Sequence, residues 1–271
     1  MFMTYPLFSL IGSHRDKYRV PDTRWQALAL ASLIMAGALG IVSGMSTARG
    51  TDSKTSAGTP TPRVWRVMPL GDSITNDYVS GNYRYPLGQK LVTDGQLPVD
   101  FVGSQNSGPE DMGDKDNEGH SGWSIKGHAD GELTAHVSAW LEDAQPDVVL
   151  LHAGTNDLLN QASGATALNR LDELLEEIFV SRPGIKVLVA SLIDIQVEGV
   201  DQQMLADFNS AIPGLVAKHF ANGREAYFAD MARAHLTTGT GSDIPDGIHP
   251  DSNGYAKMAD VWYTALRAII D

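Results

Sequence analysis

The 271-residue sequence has no cysteine. That excludes disulfides, thiolate metal sites and a cysteine nucleophile. The redox compartment stays open, because a chain without cysteine folds in either. Basic residues are also scarce: 20 Lys and Arg stand against 33 Asp and Glu, and the formal net charge is −13. Such a surface repels a phosphate backbone, which excludes nucleic acid as a partner. Aromatic residues make up only 7%, yet hydrophobic residues reach 42%. A sizeable core can therefore be built, and wholesale disorder is excluded. The length suits one α/β domain with accessories.

One long stretch lacks charge altogether, from Trp25 to Ala48, with Ala27–Val42 as its apolar centre. Arg15, Lys17, Arg19 and Arg24 precede it. This is the layout of an export signal, and Ser46-Thr47-Ala48 supplies small residues for cleavage. About 20 apolar residues would equally cross a bilayer. Residues 1–48 thus read as a signal peptide or an N-terminal membrane anchor, and the protein as secreted or anchored by that segment. Residues 49–62, rich in Ser, Thr, Gly and Pro, read as a flexible linker. Residues 63–271 form the globular domain.

Within it, strands alternate with helices. Strands are expected at Val64–Leu70, Val99–Val102, Asp147–His152, Val187–Leu192 and Ala226–Ala229. Helices are expected at Tyr83–Thr93, Gly131–Ala144, Ala165–Phe179, Asp201–Lys218 and Ser252–Ile270. Tyr85, Leu87, Leu91 and Val92 would form the apolar side of the first. Pro213-Gly214 is expected to interrupt the fourth, and Ser252 to cap the last. Ser104–Gly122 reads as a long polar loop. This alternation means a parallel sheet covered on both faces, with chemistry at the carboxyl ends of its strands.

Four motifs fall at such places. Gly71-Asp72-Ser73-Ile74-Thr75 follows the first strand, and a tight turn there can expose a serine hydroxyl. It lacks the second glycine of a Gly-x-Ser-x-Gly elbow, and alone it could be an ordinary capping turn. Gly103 ends the second strand, where a backbone N–H can approach a ligand closely. Gly154-Thr155-Asn156-Asp157 follows the most apolar strand, and an Asn amide can donate to a developing oxyanion. It could also be a turn that caps the next helix. Asp246-Gly247-Ile248-His249-Pro250 precedes the last helix, and a carboxylate can orient the imidazole. A serine is a weak nucleophile until a base takes its proton, and His249 supplies one.

Taken together, these blocks resemble an SGNH (GDSL-type) hydrolase, a family with a flavodoxin-like, three-layer α/β/α fold. The chain is most similar to carbohydrate esterase family 3, the acetylxylan esterases. That similarity rests on Val102-Gly103-Ser104-Gln105, Asp114-Lys115-Asp116, Glu118-Gly119-His120-Ser121-Gly122-Trp123 and Asp246-Gly247-Ile248-His249. The resemblance implies Ser73 as nucleophile, His249 as general base and Asp246 as its orienting group. It implies an oxyanion hole formed by the Ser73 and Gly103 N–H groups and the Asn156 side chain. It also implies deacetylation of carbohydrate without metal or organic cofactor, with an acylated carbohydrate or small ester as partner. A lipid or small acylated metabolite is the alternative substrate.

Other residues are open at this level. His120 and Trp123 could pack over a sugar ring or merely beneath the cleft. Asp114–Gly119 resembles the first half of a calcium loop, but the twelfth position is Ile125 rather than Glu. A solvated acidic loop fits better, with a structural calcium as the other reading. His152 reads as a packed core residue. His128, His136, His219 and His235 carry no partner pattern.

Overall fold

The computed structural model describes residues 63–77, 80–93, 97–128 and 131–270. The segments read as signal or anchor and linker lie outside them. No helix among the described residues is long and apolar enough to cross a membrane.

The sheet is built around β1 (Trp65–Gly71) and β5 (Val148–His152), which pair in parallel from Val67↔Val148 to Gly71↔His152. β6 (Lys186–Ala190) and β7 (Glu225–Ala229) extend it on one side, also parallel. On the other side two strands share the edge of β1. β2 (Val99–Phe101) pairs with its first half at Trp65–Val67. β4 (Asp116–Gly119) pairs with its last residues, Leu70↔Glu118 and Gly71↔Gly119. β3 (Gln105–Asn106) is a short antiparallel partner of β4. With β2 and β4 counted as one position, the order is that of a flavodoxin-like sheet.

Alternate residues of each strand feed two cores, as the period of two requires. Met68, Leu70, Val149, Leu151, Val187 and Val189 face α2 (Val137–Ala144), α4 (Gly164–Ser181) and α5 (Gln202–Ala221). Val67, Val148, Leu150, Leu188 and Ala190 face α1 (Arg84–Thr93) and α6 (Ser252–Arg267). The three-layer α/β/α arrangement follows.

Five local expectations change. The strand β4 lies inside the stretch expected to be loop, because its polar side chains find partners within the fold. Asn117 Nδ2 donates to Ser107 Oγ (3.1 Å), and the Glu118 carboxylate accepts from the Ser104 N–H and hydroxyl (2.7 Å each). The inner face of α1 carries Arg84, Leu87 and Leu91, whereas Val92 is 80% exposed. α2 begins only at Val137, since Leu133 and Thr134 N–H groups are tied to the Ser124 and Ile125 carbonyls. α5 runs unbroken through Pro213. Pro213 and Gly214 sit on its exposed face while Ile212, Leu215 and Val216 stay buried. Continued burial there outweighs the one lost hydrogen bond. The cap of α6 is Asp251, whose carboxylate accepts from the Asn253 and Gly254 N–H groups (2.9 Å each).

Candidate active site

Gly71 ends β1 where no side chain fits: a Cβ would lie 2.3 Å from the His152 carbonyl oxygen. The chain then turns sharply. Thr75 and Asn76 N–H groups both donate to the Asp72 carbonyl (3.1 and 2.9 Å). Buried Asn82 closes the turn, donating from Nδ2 to the Ser73 and Ile74 carbonyls (2.8 and 2.6 Å). Ser73 is left half-buried.

The loop before α6 brings the base. His249 Nε2 lies 2.9 Å from Ser73 Oγ, and His249 Nδ1 lies 2.8 Å from Asp246 Oδ2. The Ile248 and His249 N–H groups donate to Asp246 Oδ1 (2.9 and 2.6 Å). With the ring proton on Nδ1 toward Asp246, Nε2 is free to accept from the serine. Partial burial acts to raise the Asp246 carboxyl, but the hydrogen bonds from His249 and Ile248 outweigh it and hold it below its ordinary value. The loop is braced from outside. Gln196 N–H donates to the Gly247 carbonyl (2.8 Å), and a Cβ on Gly247 would lie 2.5 Å from the Gln196 carbonyl oxygen.

Asn156 stands in the first turn of α3 (Thr155–Leu159), directly after β5. Its Nδ2 donates one hydrogen to the Trp123 carbonyl (2.8 Å) and keeps a second. Asp157 beside it is fully buried and pins the same loop, accepting from the Ile125 N–H (2.7 Å) and Arg170 (2.8 Å).

Ser73, His249, Asp246 and Asn156 therefore converge at the carboxyl end of the sheet. Gly103 does not join them. The preceding residue, Val102, bonds the Val67 carbonyl (2.9 Å), well before the end of β1. A Cβ at Gly103 would lie 2.2 Å from the Asn117 backbone, so β4 covers it on the site side. It lines instead a cavity of about 350 Å³ with Arg66, Asp100 and Asp143. The strand that does reach the end of β1 is β4, and its continuation holds Gly122. That residue is exposed at φ +81°, adjoins the Trp123 held by Asn156, and has open space where a Cβ would be. Its N–H has no hydrogen-bond partner among the described residues. Gly122 is thus the glycine placed to donate beside Asn156. The polar composition of Asp116–Gly119 hid the strand that delivers it.

His120 and Trp123 are brought together in one aromatic cluster with Trp140 and His136. The His120 ring packs against Trp123 (4.4 Å) and Trp140 (4.3 Å), which touch each other (5.9 Å), and His136 lies 5.2 Å from Trp123. Its Nε2 meets the buried Glu118 carboxylate at 2.7 Å. The His120 side chain is only 12% exposed within this cluster, and it braces the loop through Glu118 and the two indoles.

His152 is a core residue as expected: burial pushes its imidazole down to about 4, and it stays neutral. His219 is buried against Asp172 (2.8 Å). Asp172, Glu176 and His219 lie close enough to share an ion. Lys218 and Arg224 already neutralise the two carboxylates (2.6 Å each), so the group is an ion-pair cluster.

Asp72, next to Ser73, is also perturbed. Burial pushes its carboxyl up from 3.8 to about 6, against the Ile74 N–H that favours the charged form. Between those values the folded state holds the extra proton. Stability is therefore fully present below about 3.8, falls as pH rises to about 6, and stays lower above it. The deficit is on the order of 3 kcal/mol. Asp72→Asn should remove that loss and unfold at higher urea than the native protein at pH 7, with little difference at pH 4. Equal midpoints at pH 7 would refute the assignment.

The chain has clear likenesses. A sequence profile described as the GDSL-like Lipase/Acylhydrolase family matches residues 70–257. A multidomain esterase of Ruminococcus flavefaciens is 29% identical over 226 residues, 76% of this chain and 29% of that one. A second curated relative, from Acetivibrio thermocellus, is 33% identical over 133 residues, 49% of this chain and 55% of that one. The chain thus spans about half of one relative and under a third of the other. Among solved structures, a Clostridium thermocellum family 3 carbohydrate esterase superposes with TM-score 0.65 at 34% identity, covering 77% of this chain and all of that one. A family 3 carbohydrate esterase from Talaromyces cellulolyticus gives TM-score 0.61 at 27% identity, covering 76% and 98%.

Proposed function

The chain belongs to the GDSL-like lipase/acylhydrolase family and is a carboxylic ester hydrolase, and we propose that it is a secreted serine esterase that removes acetyl groups from carbohydrate. The observation that carries this is the continuous path Ser73–His249–Asp246, with links of 2.9 and 2.8 Å. Ser73 Oγ attacks the ester carbonyl as His249 Nε2 takes its proton. Asp246 stabilises the resulting imidazolium. The Ser73 and Gly122 N–H groups and Asn156 Nδ2 receive the oxyanion. His249 then protonates the leaving sugar hydroxyl. A water, activated by the same base, splits the acyl-serine and releases acetate.

The substrate class is supported by the openness of the site: the His249 and Asp246 side chains are 41% and 56% exposed. A polymer can approach such a rim. A larger apolar cavity, about 820 Å³, is lined by Leu91, Phe101 and Met112, away from Ser73, and does not serve as an acyl-chain tunnel for it. The family 3 carbohydrate esterases among the solved likenesses favour the same class. Secretion is supported by the uncharged Trp25–Ala48 stretch behind four basic residues.

The test is acetate release from acetylated xylan, beside short- and long-chain nitrophenyl esters. Acetate from xylan with short-chain preference is expected. Turnover of long-chain esters without xylan activity would move the substrate to a lipid or small acylated metabolite.

A further inference from the structure

Arg84 is a fully buried cation without an ion-pair partner among the described residues. Its guanidinium donates from Nε to the Thr75 carbonyl (2.8 Å), from one terminal nitrogen to the Lys115 carbonyl (3.1 Å), and from the other to the Ser107 carbonyl and hydroxyl (2.7 and 3.1 Å). Every acceptor is an uncharged oxygen. Three come from the acidic loop between β2 and β4, and one from the turn that carries Ser73. Burying a cation is costly unless its donors are satisfied. The fixed fork of five N–H groups meets that need where a point charge would not.

The acidic loop does not fit a calcium ion, because its oxygens are already committed. Asp114 accepts from the Phe101 and Asp116 N–H groups (2.7 and 3.3 Å), Asp116 from Asn106 Nδ2 (2.6 Å), and Glu118 from Ser104 and His120. The Ser107 and Lys115 carbonyls, which a hard cation would want, go to Arg84. The charge of the loop is answered from within. Burial lowers the Arg84 proton affinity, while Asp114, Asp77 and Asp116 act the other way.

We propose that Arg84 is the internal counter-ion of this loop and a positioning residue for the esterase, binding the Ser73 turn to β4 so that the two backbone donors of the oxyanion hole keep their register. Secondary links run the same way. Ser107 Oγ donates to Asn76 Oδ1 (2.6 Å), and a Cβ on Gly119 would lie 2.6 Å from the Asn76 nitrogen. The His120 N–H donates to the Gly71 carbonyl (2.8 Å). Displacement of the loop would thus shift Gly122 relative to Ser73. The kinetic arm of this proposal rests on the esterase reading; its other arms do not.

The experiment compares the native protein with Arg84→Lys, which keeps the charge and loses the fork. For Arg84→Lys, kcat on a nitrophenyl acetate should fall roughly 10- to 100-fold with KM unchanged. Amide exchange across Ser107–Gly119 should accelerate. In the native protein, EGTA should leave the unfolding midpoint unchanged, and added calcium should not raise it. Native kcat and native exchange in the lysine variant would overturn the positioning role. A midpoint lowered by EGTA and restored by calcium would overturn the counter-ion role. Should the native protein hydrolyse no ester, the esterase reading fails, while exchange and chelation still decide this proposal. Should the lysine variant not fold, the chelation measurement decides it alone.

Discussion

Replacing Ser73 by alanine is expected to lower kcat for a nitrophenyl acetate by about a million-fold, with the unfolding midpoint unchanged. The size follows from the geometry. Ser73 Oγ is the atom that His249 Nε2 addresses at 2.9 Å, and no second hydroxyl is bonded to that nitrogen among the described residues. Removing Oγ leaves the base with nothing to deprotonate except water. What survives is the oxyanion hole and substrate binding, together worth about 10³- to 10⁴-fold over water in related constellations. Stability should hold, because Asn82 fixes the turn through the Ser73 and Ile74 carbonyls, which alanine keeps. A variant that retains more than a small fraction of turnover would show that another group is the nucleophile.

Asn156→Ala should be the next largest loss, roughly 10²- to 10³-fold in kcat with KM little changed. A donor placed for the tetrahedral intermediate acts on the transition state rather than on bound ester. The side chain has a second duty, since it holds the Trp123 carbonyl at 2.8 Å. Loss of that tether would let the Gly122 loop move and enlarge the effect. Other anchors of the loop remain, among them Ile125 N–H on Asp157 and His120 N–H on the Gly71 carbonyl (2.7 and 2.8 Å). They should keep the fold intact. Initial rates across substrate concentration check the split; a rise in KM with unchanged kcat would place Asn156 in ground-state binding.

The apolar strands were legible because burial on both faces leaves a continuous run, as in Asp147–His152. The residues after them were legible for the same reason: Ser73 and Asn156 stand where strands stop. β4 was not, since Asp116–Gly119 has no apolar member and is held through Asn117 and Glu118 instead. With that strand unseen, the first glycine after β2 took the place in the proposed oxyanion hole that the geometry gives to Gly122. Arg84 escaped notice for a related cause. Nothing in a sequence marks an arginine whose partners are carbonyls 9, 23 and 31 residues away. The face of α1 was misjudged with it, because a buried guanidinium occupies a position that hydrophobic periodicity assigns to an apolar side chain.

Ser73 and His249, the proposed nucleophile and base, are separated by 176 positions. The base is held in the last loop before α6, which docks through Tyr255, Met258 and Trp262. On the proposed mechanism, a nascent chain therefore carries Ser73 long before its partner, and the Ser73–His249–Asp246 path closes only once α6 is seated. By the same mechanism, a chain that stops upstream of His249 keeps Ser73 without its base and should lose the turnover that Ser73→Ala loses.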